Sequence, residues 1–63
     1  MLLYYHVDRS EDTKKYIISL YYRGLLGQFK EMHRSYHKEI KDLNEVIQHY
    51  RQEGYHIQSM ATA

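Results

Sequence analysis

The fold prediction depends on residues 25–50, LLGQFKEMHRSYHKEIKDLNEVIQHY. Apolar side chains recur here at spacings of three and four, the period of a heptad seam. The seam consists of Leu25, Phe29, Met32, Tyr36, Leu43, Val46 and Tyr50, and it is widened by Leu26, Ile40 and Ile47. The pattern predicts a long amphipathic helix over residues 27–53. It would end at Gly54, the residue type that most readily adopts the left-handed cap conformation.

A shorter apolar stripe precedes this stretch. Its members share one side of a helical wheel and are Tyr16, Ile17, Leu20 and Tyr21. This stripe is out of phase with the seam, and Gly24 and Gly27 lie where the two meet. Because each glycine costs about 1 kcal/mol inside a helix relative to Ala, we predict a turn or kink at 24–27 and a first helix over 10–23. The alternative is one continuous helix through this segment.

The two ends of the chain are predicted to be extended. Residues 1–8 are rich in aromatic and branched side chains, residues 55–58 alternate like a short second strand, and 59–63 form a tail. The predicted fold class is therefore mainly α. It is a two-helix hairpin, a short helix followed by a long one, flanked by short terminal strands in a single domain of residues 1–63.

The size of the chain favours self-association. A 63-residue domain removes only about 60% of its unfolded surface from water, and there is no Cys for a disulfide. Two lone strands do not make a stable sheet in water without packing help. We therefore predict that the helical domain forms a homodimer.

Composition also limits the class of function. The chain has no Cys, no Gly-rich phosphate loop and no Ser/His/Asp ordering with supporting motifs, so we expect no enzyme and no cofactor. No apolar run approaches the about 20 residues that span a bilayer, and we expect a cytoplasmic protein without a membrane partner.

Tyrosine is the strongest anomaly in the composition. The chain has eight Tyr, one Phe and no Trp. Tyr and Arg are enriched in the buried centres of protein interfaces. The predicted partner-binding residues are Tyr21, Tyr22, Phe29, Arg34, Tyr36 and Lys38. The leading hypothesis is a small module that regulates or inhibits a larger protein by masking part of its surface, although the sequence does not separate such a contact from a homodimer contact.

A basic stripe supports an alternative hypothesis. Residues 14–41 contain seven Lys and Arg against two acidic residues, although the whole chain carries a net charge of only +1. The stripe on the predicted second helix and its approach comprises Arg23, Lys30, Arg34, Lys38 and Lys41. Such a stripe would match phosphates, so the alternative is a nucleic-acid-binding regulator whose binding weakens steeply with salt.

Two histidines raise the question of a metal site. His33 and His37 are four residues apart, which would place both imidazoles on one face of a helix. Zinc sites normally need three or four protein ligands, and nothing in the sequence supplies a third with defined geometry. We therefore predict no metal site.

Overall fold

The computed structural model describes residues 1–62 and is built around a four-stranded sheet. The strands are β1 (Leu2–Arg9), β2 (Tyr16–Arg23), β3 (Phe29–His37) and β4 (His56–Ser59), with one helix, α1 (Asp42–Gln52), and a 3-10 turn at Met60–Thr62. Their order in the sheet is β3-β2-β1-β4. The first three strands form an antiparallel meander, and β4 lies parallel to β1. The predicted tail at 59–63 includes Ala63, which lies outside the described residues.

The predicted mainly α, coiled-coil-like hairpin is wrong. Residues 10–23, predicted as the first helix, form a turn followed by β2. The first part of the predicted helix over 27–53 is β3, and only Asp42–Gln52 is helical. The chain is a small β-sheet protein with one short helix.

β2 is a strand because its side chains suit the centre of a sheet. Its sequence, YIISLYYR, is dominated by aromatic and branched residues, which favour strands over helices. β2 pairs with β1 on one side and β3 on the other, and Ile18 and Leu20 are fully buried. The apolar residues that would have covered two sides of the predicted first helix lie on the two faces of this central strand.

A β-bulge explains why β3 resembled a heptad helix. Leu20 lies opposite His33 and Tyr21 lies opposite Glu31, so Met32 is an extra residue in β3. Residues seven apart normally point to opposite faces of a strand, but an inserted bulge residue restores them to the same face. Phe29 and Tyr36 therefore share a face of the sheet at the spacing of one heptad.

The segment predicted as a turn or kink at 24–27 lies in the hairpin turn between β2 and β3. Gly24 N–H donates to the Gln28 carbonyl at 2.7 Å, and Gly27 has a φ of +84°, which a glycine adopts without strain. Leu25 and Leu26, with which the heptad pattern begins, project into solvent at the tip of this turn. They contribute nothing to the core.

α1 connects β3 to β4, which are the two edges of the sheet, and it therefore crosses one face of it. The half-buried apolar and aromatic residues of α1 recur at helical spacing and are Leu43, Val46, Ile47 and Tyr50. Beneath them the sheet contributes the fully buried Leu3, Ile18 and Leu20. Gly54 follows the helix with a φ of +99°, consistent with the left-handed cap predicted for it.

The terminal strands lie next to each other within one chain, with Leu3 opposite Ile57. Because β1 also pairs with β2, the sheet does not need a second copy to complete it, and this physical ground for the predicted homodimer is removed. No helix among residues 1–62 is long and apolar enough to cross a membrane.

Candidate functional site

The face of the sheet opposite α1 is the candidate functional surface. Side chains alternate between faces, and Tyr50 Oη lies 3.1 Å from His33 Nδ1, which identifies the helix side. We call the other side the open face. Through the strand registers its residues on β1, β2 and β3 are Leu2, Tyr4, His6, Asp8, Ile17, Ser19, Tyr21, Arg23, Phe29, Glu31, Arg34 and Tyr36.

An aromatic cluster around Arg23 occupies one end of the open face. The rings of Tyr4 and Phe29 meet edge to face with centroids 5.3 Å apart. The Arg23 guanidinium carbon lies 4.8 Å from the Phe29 centroid and 5.8 Å from that of Tyr4. Tyr4 is 9% exposed and Phe29 is 39% exposed, so Tyr4 forms the floor of this Arg23 cluster and Phe29 its rim. Each such cation–π contact contributes about 0.5–1 kcal/mol at exposed sites and holds the guanidinium in place.

Tyr36 marks the other end of the open face, where it lies opposite Ile17 and is 57% exposed. Between the two ends, Arg34 forms a two-pronged ion pair with Glu31 at 2.9 and 3.0 Å. Hydrogen bonds to Tyr36 and Glu31 raise the pKa of Arg34, so it stays charged. The Glu31 carboxylate accepts hydrogen bonds from two nitrogens of the Arg34 guanidinium and so neutralises its charge locally.

The formal charges on the open face balance. Arg23 and Arg34 are matched by Asp8 and Glu31. A surface that binds nucleic acid through phosphates needs an excess of Lys and Arg. The open face combines aromatic side chains with two arginines held in place by their neighbours, and it lacks the net positive charge that phosphate binding requires.

Four of the six residues predicted to bind a partner come together on the open face. These are Tyr21, Phe29, Arg34 and Tyr36. Tyr22 points to the opposite side of β2, because neighbouring residues in a strand alternate. Lys38 follows the end of β3.

The residues proposed for nucleic acid do not form the helical stripe that the sequence suggested. Arg23 and Arg34 lie on the open face, whereas Lys30 lies opposite Tyr22 on the other face. Lys38 and Lys41 lie in the connection to α1, where Lys41 Nζ is 2.9 Å from a carboxylate oxygen of Glu39. The stripe is wrong as a feature of a second helix, because its central part is a strand.

A chain of hydrogen bonds joins β3 to both ends of α1. Tyr50 Oη lies 3.1 Å from His33 Nδ1, and His33 Nε2 lies 2.8 Å from Ser35 Oγ. Ser35 Oγ is 2.6 Å from His37 Nε2, and His37 Nδ1 is 3.1 Å from Asp42 Oδ2. A carboxylate only accepts, so with His37 neutral every proton is assigned in one direction: Tyr50 donates to His33, His33 to Ser35, Ser35 to His37, and His37 to Asp42.

This network ties α1 to the edge strand. Asp42 is the first residue of α1 and Tyr50 belongs to its last turn. Burial lowers the pKa of His33, and the nearby imidazoles of His37 and His49 add to the effect against the opposing influence of Glu31. His33 is therefore neutral at neutral pH, as its acceptor role toward Tyr50 requires.

Ser35, His37 and Asp42 have the connectivity that activates a serine nucleophile in hydrolases. Here Ser35 Oγ also accepts a hydrogen bond from His33, which takes up one of its two lone pairs and makes the oxygen less nucleophilic. The network accordingly fits a structural fastening of α1.

The histidines flagged for metal binding are part of this network. His33 and His37 both bond Ser35, and they share a face because they are four residues apart on a strand. Within residues 1–62, no three His, Cys, Asp or Glu side chains are grouped so that they could hold a metal ion.

The sequence does contain a signal for the network that helical spacing concealed. Residues 33–37 read His-Ser-His at every second position, the period of one strand face. Assigning a strand to this segment would have placed the three side chains together. The contacts to Tyr50 and Asp42 depend on where α1 lies and have no local sequence signal.

Comparison with protein-family models, with curated proteins and with solved structures finds no match to this chain. Function therefore has to be inferred from the residues of the chain itself.

Proposed function

We propose that the chain is a protein-interaction module that binds a larger protein through its open face and acts as a regulator or inhibitor by masking part of that protein. The observation that carries the proposal is the exposed Arg23 cluster and Tyr36 on a sheet whose other face is covered by α1. Aromatic side chains and Arg are the residue types that anchor protein interfaces.

The character of this surface favours a protein over a nucleic acid. Phe29 and Tyr36 supply apolar area that is already ordered by the sheet, so a partner gains contact at little cost in side-chain entropy. The balanced charges of the open face offer few sites for phosphates. Binding of nucleic acid by the basic residues therefore ranks second.

Self-association stays a prediction. A second copy that bound to the open face would compete there with a foreign partner. A second copy would have to place aromatic rings and arginines against an identical face. A foreign partner with acidic side chains would pair with Arg23, which has no ion-pair partner within residues 1–62. We therefore propose a foreign partner for the open face.

Site-specific photo-crosslinking tests the proposal. p-Benzoylphenylalanine would replace Tyr36 on the open face or, as a control, Asn44 on the exposed side of α1. After irradiation in the native cells, we expect an adduct with one larger protein from position 36 and none from position 44. An adduct with a second copy of the chain, with nucleic acid, or with the same proteins from both positions would contradict the proposal.

Binding to the partner identified in this way is then measured with purified proteins. Phe29→Ala should weaken binding at least about tenfold, since it truncates an interface aromatic and releases Arg23. The matched control is Leu25→Ala, which truncates a fully exposed apolar side chain in the β2–β3 turn. Equal affinities for the two variants would place the contact elsewhere.

A further inference from the structure

β3 is a long strand at one edge of the sheet. It has nine residues, and among the strands of residues 1–62 it pairs only with β2. Outside that ladder, no backbone N–H or carbonyl of residues 29–37 has a hydrogen-bond partner among residues 1–62. Every second residue of such a strand directs its backbone groups outward, which makes the edge a template for another strand.

The opposite edge does not offer an equivalent template. β4 has four residues and runs directly into the 3-10 turn at Met60–Thr62. A strand that adds to this sheet would therefore gain more backbone hydrogen bonds at β3. β3 also carries Phe29 and Tyr36, so its outer edge is continuous with the open face.

The β3 edge is positively charged. Lys30 and Lys38 are exposed, and neither forms an ion pair within residues 1–62. Residues 29–38 contain Lys30, Arg34 and Lys38 against Glu31, a net charge of +2. At about 3.3 Å per residue, the two lysines are roughly 25 Å apart and flank the edge.

We propose that β3 accepts an extended acidic segment of the protein partner as a fifth strand of the sheet. This inference rests on the proposed protein-binding function and names the chemistry of the partner. Edge lysines discourage pairing between like strands, because a second copy would set a charge of +2 against its own +2. The same lysines attract a segment rich in Glu or Asp, so charge selects the strand and backbone hydrogen bonds hold it.

The bulge limits how far the added strand can pair. Ladder geometry is disturbed around Met32, which leaves His33–His37 as the regular part of the edge. On the open face, side chains of the added strand would lie beside Arg34 and Tyr36. The two flanking lysines would meet acidic residues near the ends of the segment.

A fluorescent peptide, Glu-Val-Glu-Tyr-Glu-Val-Glu, serves as the probe in fluorescence polarisation with the whole chain. We expect it to bind at least about tenfold more tightly than the same peptide with Gln in place of every Glu. N-methylation of alternate peptide nitrogens on one edge, which removes the donors to β3, should abolish binding. Equal binding of the Glu and Gln peptides, no binding of either, or unimpaired binding of the N-methylated peptide would overturn the proposal.

Charge reversal locates the site on the chain. Lys30→Glu with Lys38→Glu should weaken binding of the Glu peptide about tenfold or more. The matched control, Arg9→Glu with Arg51→Glu, makes the same change in net charge on β1 and near the end of α1, neither of which pairs with β3 at these residues, and should leave binding within about twofold. A thymidine decamer, measured beside the peptides, tests whether the surface binds any polyanion. If the decamer binds as tightly as the Glu peptide, strand addition is overturned.

Amide hydrogen exchange supplies the structural readout. Outward amides in residues 33–37 should exchange rapidly in the free chain and become protected by the Glu peptide, whereas β4 amides should not change. Peptide binding without protection of β3 would refute the added strand. Crosslinking from position 36 tests the open face independently of the β3 edge. If strand addition is wrong but the open face still binds a protein, the protein adduct at position 36 should remain.

Discussion

Ser35→Ala is expected to loosen the attachment of α1 to β3. The substitution removes an oxygen that bonds two imidazoles at 2.8 and 2.6 Å, and so breaks the middle of the network. Each hydrogen bond has a net value of about 0.5–1.5 kcal/mol, and water replaces part of it because the site is only half-buried, so we expect a loss of about 1.5 kcal/mol. For a chain of this size, stability is only several kcal/mol, and the loss is a large share of it.

Urea unfolding at pH 7.5, followed by far-UV circular dichroism, measures this loss. With a slope of about 1 kcal/mol per M, the midpoint should fall by about 1.5 M at unchanged slope. Ser59→Ala is the control, because Ser59 is also half-buried on a strand but, within residues 1–62, its hydroxyl accepts a hydrogen bond only from the Ala61 N–H, at 3.1 Å. A Ser35→Ala midpoint no lower than that of the control would refute the network as a fastening of α1.

Four further predictions concern other parts of the molecule. The lowered pKa of His33 means that the unfolded chain binds a proton more readily, so the free energy of unfolding should fall as pH drops below about 6.5, and His33→Gln should lessen the fall in urea titrations. Deleting Met32 removes the bulge but leaves Glu31 opposite Tyr21 and His33 opposite Leu20 on their present faces, so the thermal midpoint should change by less than about 4 °C. Gly54→Ala should cost about 1 kcal/mol in urea unfolding, because φ is +99° while no atom blocks a Cβ. Leu25→Ser with Leu26→Ser should change stability by less than about 0.5 kcal/mol.

Each of these has an opposing result. If the free energy of unfolding of His33→Gln falls with pH as steeply as that of the unmodified chain, the His33 imidazole does not cause the loss of stability in acid. A much lower melting temperature after deletion of Met32 would mean that the bulge itself stabilises the sheet. A stable Gly54→Ala variant, or a strongly destabilised turn variant, would contradict the conformations described for those loops.

The heptad spacing of the apolar residues predicted a helix wrongly, because a β-bulge produces the same spacing on one face of a strand. In β3, Phe29 and Tyr36 lie seven residues apart and on one face, which a regular strand forbids and a heptad helix requires. Intrinsic preference pointed the other way, since YIISLYYR in β2 has the composition of a strand. In β2 the strand propensity of the side chains outweighs the helical period of the apolar residues.

Composition and local chemistry alone identified the residue types that matter on the surface. The excess of Tyr, the arginines beside aromatic residues, and the glycines at 24, 27 and 54 were all legible in the sequence, because they reflect side-chain size and backbone freedom at single positions. Tertiary structure decided which residues share a face. Strand pairing gathered Tyr4, Arg23 and Phe29, the bulge set Tyr36 on the same side, and the passage of α1 brought Asp42 and Tyr50 to the ends of the His33–Ser35–His37 run. These contacts join segments distant in the chain, and no local pattern encodes them.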